Sequence, residues 1–265
     1  MKIIKFFFSL ILVVVIAIVL VLGYFGFVPG LSNLFGSNKP KDLGIKYTEA
    51  DHKAAREKSQ IEYDTLPTNT SPENDRQTVG TRVISTQWSS AEMTSLMNNR
   101  PWRYYPYANV QIKFNGDGSA EISGIFLKDR LAGYGARIGA PKEALEFVQK
   151  FLPANPVFYV KGKASLENNQ VAIFEPQAFE IGRVPLPVGW FLSMTPKSLI
   201  KEVCAIDAGG MLSELSKVQN KKSLIIGFIN QRLSLKNGFF AKKAYFGQDK
   251  LVFDGNLPEK ELTAQ

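Results

Sequence analysis

From Phe6 to Val28 the chain runs 23 residues without a charge, most of them Leu, Ile, Val or Phe. As a helix rising about 1.5 Å per residue, that stretch reaches about 34 Å, enough to cross a hydrocarbon layer of about 30 Å. Lys2 and Lys5 precede it with no acid nearby, which places the N-terminus in the cytoplasm and everything after Val28 outside. A cleaved signal peptide would have a shorter apolar core, about 7–15 residues, ending in a small-x-small site. Val19 to Phe27 offers no A-x-A pattern, and a lipoprotein would need a cysteine there, whereas the one cysteine is Cys204. The expectation is an uncleaved, single-pass signal anchor over residues 1–28, set in a cell membrane.

The 265 residues leave room, after the anchor, for one domain of ordinary size. One cysteine and one histidine exclude a disulfide scaffold, a Cys-based zinc or iron–sulfur site and a His-rich metal site within the chain. No metal and no cofactor are expected. Of the net charge of +8, residues 39–77 carry −1 and residues 78–265 carry +7. A moderately basic domain beside a membrane suits anionic headgroups or cell-wall polymers. The plainer reading is a scattered, solvated surface, since no run of five like charges occurs.

Residues 29–77 read as a polar linker. Gly30 to Pro40 looks like an exposed exit from the membrane, and Thr48-Glu49-Ala50-Asp51 can cap a short helix to about Ser59. Leu66 to Gln77 holds two prolines and almost no apolar residue, the composition of a spacer. His52 sits in this polar region, and a surface position is expected for it.

Residues 78–262 read as an extracytoplasmic α+β domain. Thr78 to Trp88 has the β-branched content of a strand, and Ser89-Ser90-Ala91-Glu92 is a capping box opening a short helix with Met93, Leu96 and Met97 on one face. Three strand–turn–strand units follow. Ala108–Phe114 and Ala120–Leu127 flank Asn115-Gly116-Asp117-Gly118; Val157–Leu166 and Val171–Ile181 flank Glu167-Asn168-Asn169-Gln170. The third runs from Ser223 to Leu235, turns at Lys236-Asn237-Gly238 and returns to Phe246, with a further strand over Lys250–Leu257. Helical spacing marks Pro141–Leu152 and a longer stretch, Pro187–Val218, which Pro196 and Gly209-Gly210 divide. Hairpins separated by helices, without βαβ alternation, argue for a curved antiparallel sheet packed against a long interrupted helix.

Catalytic equipment is sparse. A nucleophilic triad needs a base, and the domain has no histidine. Cys204 lies at a core position of an apolar segment, where a buried thiol is the ordinary outcome. Asp207 suits a helix break or cap, and carboxylate pairs for glycoside hydrolysis need not be close in sequence. Gly133-Tyr134-Gly135-Ala136-Arg137-Ile138-Gly139 has neither the spacing nor the Lys-Ser/Thr ending of a phosphate loop and reads as a flexible connection. The most unusual stretch is Arg100-Pro101-Trp102-Arg103-Tyr104-Tyr105-Pro106-Tyr107, a basic–aromatic mix suited to a ligand or an interface, or to aromatic packing at a strand start. Nucleic acid is not expected outside the cytoplasm. Val184 to Leu192 offers Trp190 and Phe191, with Met194 following, either as core or as the wall of a lipid-accessible groove.

The opening T-Q-W-S-S-A-E-M-T-S-L-M-N (86–98), the run F-E-I-G-R-V-P-L-P (179–187) and the closing D-K-L-V-F-D-G-N-L-P (249–258) resemble small membrane-anchored bacterial envelope proteins of the YpmS-like family, and more distantly the tubular, TULIP-like lipid-binding proteins. The resemblance implies a curved sheet around an apolar cavity and association with lipid or envelope, and it implies no catalytic residue. The expected function is therefore non-enzymatic: binding a lipid or other amphiphile in a groove between sheet and long helix. Trp190, Phe191, Met194, Leu199 and Val203 are expected to line it, with Trp102, Arg103 and Tyr105 at the mouth. The alternative is an envelope scaffold or protein-interaction module with a filled core.

Overall fold

The computed structural model describes residues 2–138, 146, 155–187 and 221–264. The expected helices over Pro141–Leu152 and Pro187–Val218 therefore lie almost wholly outside the described residues. Around the chain, α1 (Lys2–Tyr24) and α2 (Pro29–Phe35) form an N-terminal pair, joined where the Ser32 and Ser37 hydroxyls donate to the Gly23 carbonyl at 3.1 and 2.9 Å. The side chains of α1 are described from Leu12 onward, and Leu12 to Leu22 are exposed on all sides of the helix. Among the described residues no helix is long and apolar enough to cross a membrane.

The body is α+β, as expected, built on a strongly curled antiparallel sheet. Its strands are β3 (Arg82–Ser89), β4 (Tyr107–Phe114), β5 (Ser119–Phe126), β6 (Val157–Glu167), β7 (Gln170–Ile181), β8 (Val184–Pro185), β9 (Phe240–Gly247) and β10 (Lys250–Leu257). The order is β3-β10-β9-β6-β5-β4, with β7 on the other edge of β6 and β8 beyond it. One edge of β6 is shared: Val157–Lys163 pairs with β5, and Ser165–Glu167 pairs with β9. Handing an edge from one partner to another at Ala164 turns the sheet into half a barrel. A second, three-stranded sheet has the order β1-β11-β2, from β1 (Glu62–Leu66), β2 (Arg76–Val79) and β11 (Lys260–Ala264). Residues expected to be linker thus supply two strands, and β1 runs parallel to β11.

Helix α4 (Ser90–Asn98) takes the place of a further strand beside β4. Ser89 and Glu92 form the expected capping box, and Lys58 of α3 (Glu49–Ser59) binds Glu92 at 2.6 Å. Thr48 and Asp51 cap α3 in the same way. On the face of α4 toward β4, Ser90, Thr94 and Asn98 recur every fourth residue. The Phe114 N–H donates to Ser90 Oγ at 3.0 Å, the Ile112 N–H to Thr94 Oγ1 at 2.9 Å, and the Val110 N–H to Asn98 Oδ1 at 2.9 Å. Asn98 Nδ2 returns a bond to the Val110 carbonyl at 2.7 Å. Four helical residues rise about 6.0 Å and two strand residues about 6.8 Å, so the two repeats stay nearly in step for three rungs. The open edge of β4 is satisfied without a strand. Its side chains Val110, Ile112 and Phe114 then turn into the core, each 5% exposed or less.

Two further expectations fail. The stretch over residues 223–235, expected as a strand, lies in a helix, α6 (Lys221–Ser234), and the third hairpin is β9–β10, turning at Gln248-Asp249. A short apolar run without strict alternation fits a buried strand or a helix equally, and here its length favours the helix. The glycine-rich loop is mostly helix α5 (Leu131–Ile138). Its glycines serve close approach: a Cβ at Gly133 would lie 2.3 Å from the Tyr104 ring.

Replacing Thr94 by Val leaves the buried Ile112 N–H without a partner at nearly constant volume. Chemical denaturation is expected to show a loss of about 1–3 kcal/mol, against a much smaller loss for a Thr→Val change on an exposed strand position such as Thr65.

Candidate functional site

The inner side of the half-barrel holds a hollow of about 450 Å³. Its walls come from strands that face inward by alternation: Trp88 of β3, Leu166 of β6, Leu251 and Phe253 of β10, with Phe239 just before β9 and Leu96 of α4. Trp88 and Phe253 lie 5%- and 4%-exposed, their ring centroids 6.1 Å apart, and Phe239 meets Phe253 at 5.9 Å. Trp88 Nε1 donates to the Ala55 carbonyl of α3, which fixes the indole against the wall.

One end of the hollow is charged. Arg76 of β2, Arg100 after α4, Lys236 after α6 and Glu261 of β11 all border it. Arg76 Nε binds Glu261 Oε1 at 2.9 Å, and Arg100 Nη1 binds both Glu261 oxygens at 3.0 Å. Burial alone would raise the Glu261 carboxyl, but the charges of Arg100 and Arg76 and their hydrogen bonds outweigh it and hold it below the usual range. Lys236 has no carboxylate within ion-pair reach among the described residues; its ammonium stands 4.7 Å over the Phe239 ring. Lys236 is exposed as a residue, but desolvation, then repulsion from Arg76 and Arg100, brings its ammonium down to about 8 against the pull of Glu261. Two arginines thus share one carboxylate, and Lys236 adds a third cation, at the end of an apolar chamber.

Of the residues picked out from sequence, the three described ones, Trp102, Arg103 and Tyr105, do not line the hollow. Trp102 is buried, 5.8 Å from the Tyr134 ring and 5.6 Å under the Arg76 guanidinium, so it backs the charged end without lining the hollow. Arg103 ties Asp75 at 3.3 Å and donates to the Thr68 and Thr70 carbonyls, a clamp on the segment before β2. Tyr105 is buried, with its hydroxyl on Met97 Sδ and its ring on Tyr107. Apart from Arg100, which binds Glu261 at the charged end, the basic–aromatic stretch is aromatic packing plus a clamp. Trp190, Phe191, Met194, Leu199 and Val203 lie outside the described residues, as do Cys204 and Asp207. His52 is half-buried on α3, with Nδ1 unpartnered.

No family model, curated protein or solved structure matches this chain. The site is therefore argued from its own chemistry. No cluster of three or more His, Cys, Asp or Glu side chains is arranged for a metal among the described residues. Sequence reading missed Arg76, Lys236 and Glu261 because they sit in a spacer, a turn and the last strand. The signal available was weak: Arg76 and Glu261 lie on strands that only the second sheet brings together.

Glu261 contributes stability while it is ionised next to the two guanidinium groups. That contribution is present above the ordinary carboxylate range and is lost as pH falls through the lowered folded value. Glu261→Gln should lose about 3 kcal/mol at neutral pH and flatten the acid limb of the stability–pH curve, both read from denaturant melts at several pH values.

Proposed function

We propose that the protein is a non-enzymatic, single-pass membrane protein whose extracytoplasmic domain binds a lipid or other amphiphile in the hollow of the curled sheet. The observation that carries this reading is an apolar chamber of about 450 Å³ that ends in an excess of positive charge. Ligand pockets of about 300–1,000 Å³, apolar with a few convergent polar groups, are the ordinary form of a small-molecule site. Leu12 to Leu22, exposed around the whole helix, support the anchor, since apolar side chains on every face need an apolar solvent. Lys2 and Lys5 support a cytoplasmic N-terminus. A curled sheet around an apolar chamber is also what the likeness to YpmS-like and TULIP-like proteins implied, and the proposal keeps that likeness as an expectation.

Native mass spectrometry of the full chain, released gently from detergent and followed by lipid extraction, tests the reading. One stoichiometric amphiphile is expected on the native chain, and its loss is expected in Ala164→Trp, which fills the hollow from β6. A clean apo mass that persists after incubation with membrane lipids would favour a scaffold that presents its surface to an envelope protein. An alkaline phosphatase fused after Gln265 should be active, as it is only outside the cytoplasm.

A further inference from the structure

Resting on the amphiphile reading above, we infer that the hollow selects an amphiphile with an anionic head, its charge held by Lys236 between Arg76 and Arg100 and its tail against Trp88, Phe239 and Phe253. The head chemistry is that of a carboxylate or a phosphate or sulfate monoester, and the tail is a single aliphatic chain that fits the chamber.

Charge balance is the first argument. Glu261, 2% exposed, is already used by Arg76 and Arg100, the latter through both carboxylate oxygens. Lys236 is left without a carboxylate among the described residues, and the ring beneath it, Phe239, belongs to the apolar wall. A second anion entering from the chamber therefore meets a site short of one negative charge.

The groups packed around Lys236 make the same point from each side. Arg76 faces it from β2, Arg100 from the loop after α4, and Glu261 from β11; Tyr63 of β1 lies beside Arg100. Two of these are fixed cations and one is an anion already bound by both. Ammonium so placed loses its proton more easily than in water, and an arriving anion reverses the imbalance that causes this. Desolvation of the anion is offset because charge-assisted bonds replace its hydration.

The wall supplies the second argument. A bare anion site needs no chamber, and an apolar chamber needs no cation. Their continuity is the feature that selects a molecule with both parts, and orients it with its head at β2 and β11 and its tail toward β10.

The test uses the full chain in detergent micelles with two photoreactive probes: a hexadecyl sulfate carrying a tail diazirine, whose charge is fixed, and the corresponding hexadecanol. Crosslinks are mapped by peptide mass spectrometry. The sulfate is expected to label the peptides holding Phe239 and Phe253 about tenfold more than the alcohol, while both label α1 alike. That ratio should fall toward one in Lys236→Met. In the native chain it should also decline as pH rises through about 8, where Lys236 loses its charge, and Lys236→Arg should hold it constant. Equal labelling of the hollow by both probes would overturn the head selection and leave the amphiphile reading standing. Absence of both probes from the hollow would overturn both. Full displacement of the sulfate by inorganic phosphate at constant ionic strength would show a free-anion site and overturn the tail's part in it. Should Lys236→Met not fold, the native chain's sulfate-to-alcohol ratio and its pH dependence decide the matter alone.

Discussion

A strand at the end of a sheet presents a row of unpaired N–H and C=O groups, and β4 would do so but for α4. Ser90, Thr94 and Asn98 place one polar side chain per helical turn against every second residue of that edge. The arrangement lets the sheet curl without closing strand to strand, because the gap between β3 and β4 is bridged by a helix that leaves β3 directly. It also sets which way β4 faces. With Val110, Ile112 and Phe114 donating outward, their side chains turn inward, and the second core cluster with Ala120 forms on that side. Glu92 does double duty here, capping α4 and holding Lys58 of α3, so α3 and its Ala55 carbonyl are positioned to receive the Trp88 indole. The apolar wall of the hollow is therefore tied, through two steps, to the same polar ladder.

The charged end depends on a different kind of constraint. β11 lies between two strands drawn from before the half-barrel, β1 and β2, and brings Glu261 under Arg76 and Arg100. Asp75, wholly buried, takes Arg103, and its carbonyl accepts from the Ala264 N–H. Thr263 adds a hydroxyl donated to the Pro101 carbonyl. A net of arginines thus pins the last strand to the rest of the body. Because arginine guanidinium groups outnumber the carboxylates they hold, structural ion pairing leaves positive charge behind at the end of the chamber. Fold and site share these residues, which is why a substitution at Glu261 tests stability and one at Lys236 tests binding.

Local signals were legible in the sequence where one short rule decides the outcome. The Ser89–Glu92 capping box, the turns at Asn115-Gly116-Asp117-Gly118 and Asn168-Asn169, and the two hairpins around them appear within a residue or two of expectation. Asn168 and Asn169 take positive φ as the turn requires. The run from Ser223 to Leu235 was not legible, because apolar residues that satisfy a buried strand also satisfy a helix. The helix over Leu131–Ile138 was hidden by its own glycines, which serve approach to Tyr104 and also look like a loop. The charged end of the hollow was illegible for a further reason. Its four side chains come from positions 76, 100, 236 and 261, and the antiparallel pairing of β2 with β11 that brings Arg76 to Glu261 is a long-range contact with no local signature. Trp102, Arg103 and Tyr105 drew attention by composition, yet composition does not distinguish a ring that meets a ligand from one that meets Tyr134.

Strand β6 connects the two ends of the proposed activity. Its first residues pair with the end of β7, and the turn that follows, Gly182-Arg183, meets the N-terminal helix pair: Arg183 Nη2 donates to the Gly36 carbonyl at 3.2 Å, and its guanidinium lies 5.5 Å over the Tyr24 ring. Its last residues, Ala164 to Leu166, line the hollow. At about 3.3 Å per residue, about 25 Å of strand separates the contact with α1 and α2 from the chamber. In the proposed single-pass arrangement, that length of strand would stand between the N-terminal helix pair and a ligand in the hollow. An anionic head then matters more than it would at the surface. On that proposal a tail alone would find an apolar solvent in bilayer and chamber alike, whereas the charged end would have to replace the water that a headgroup gives up, the part proposed for Lys236.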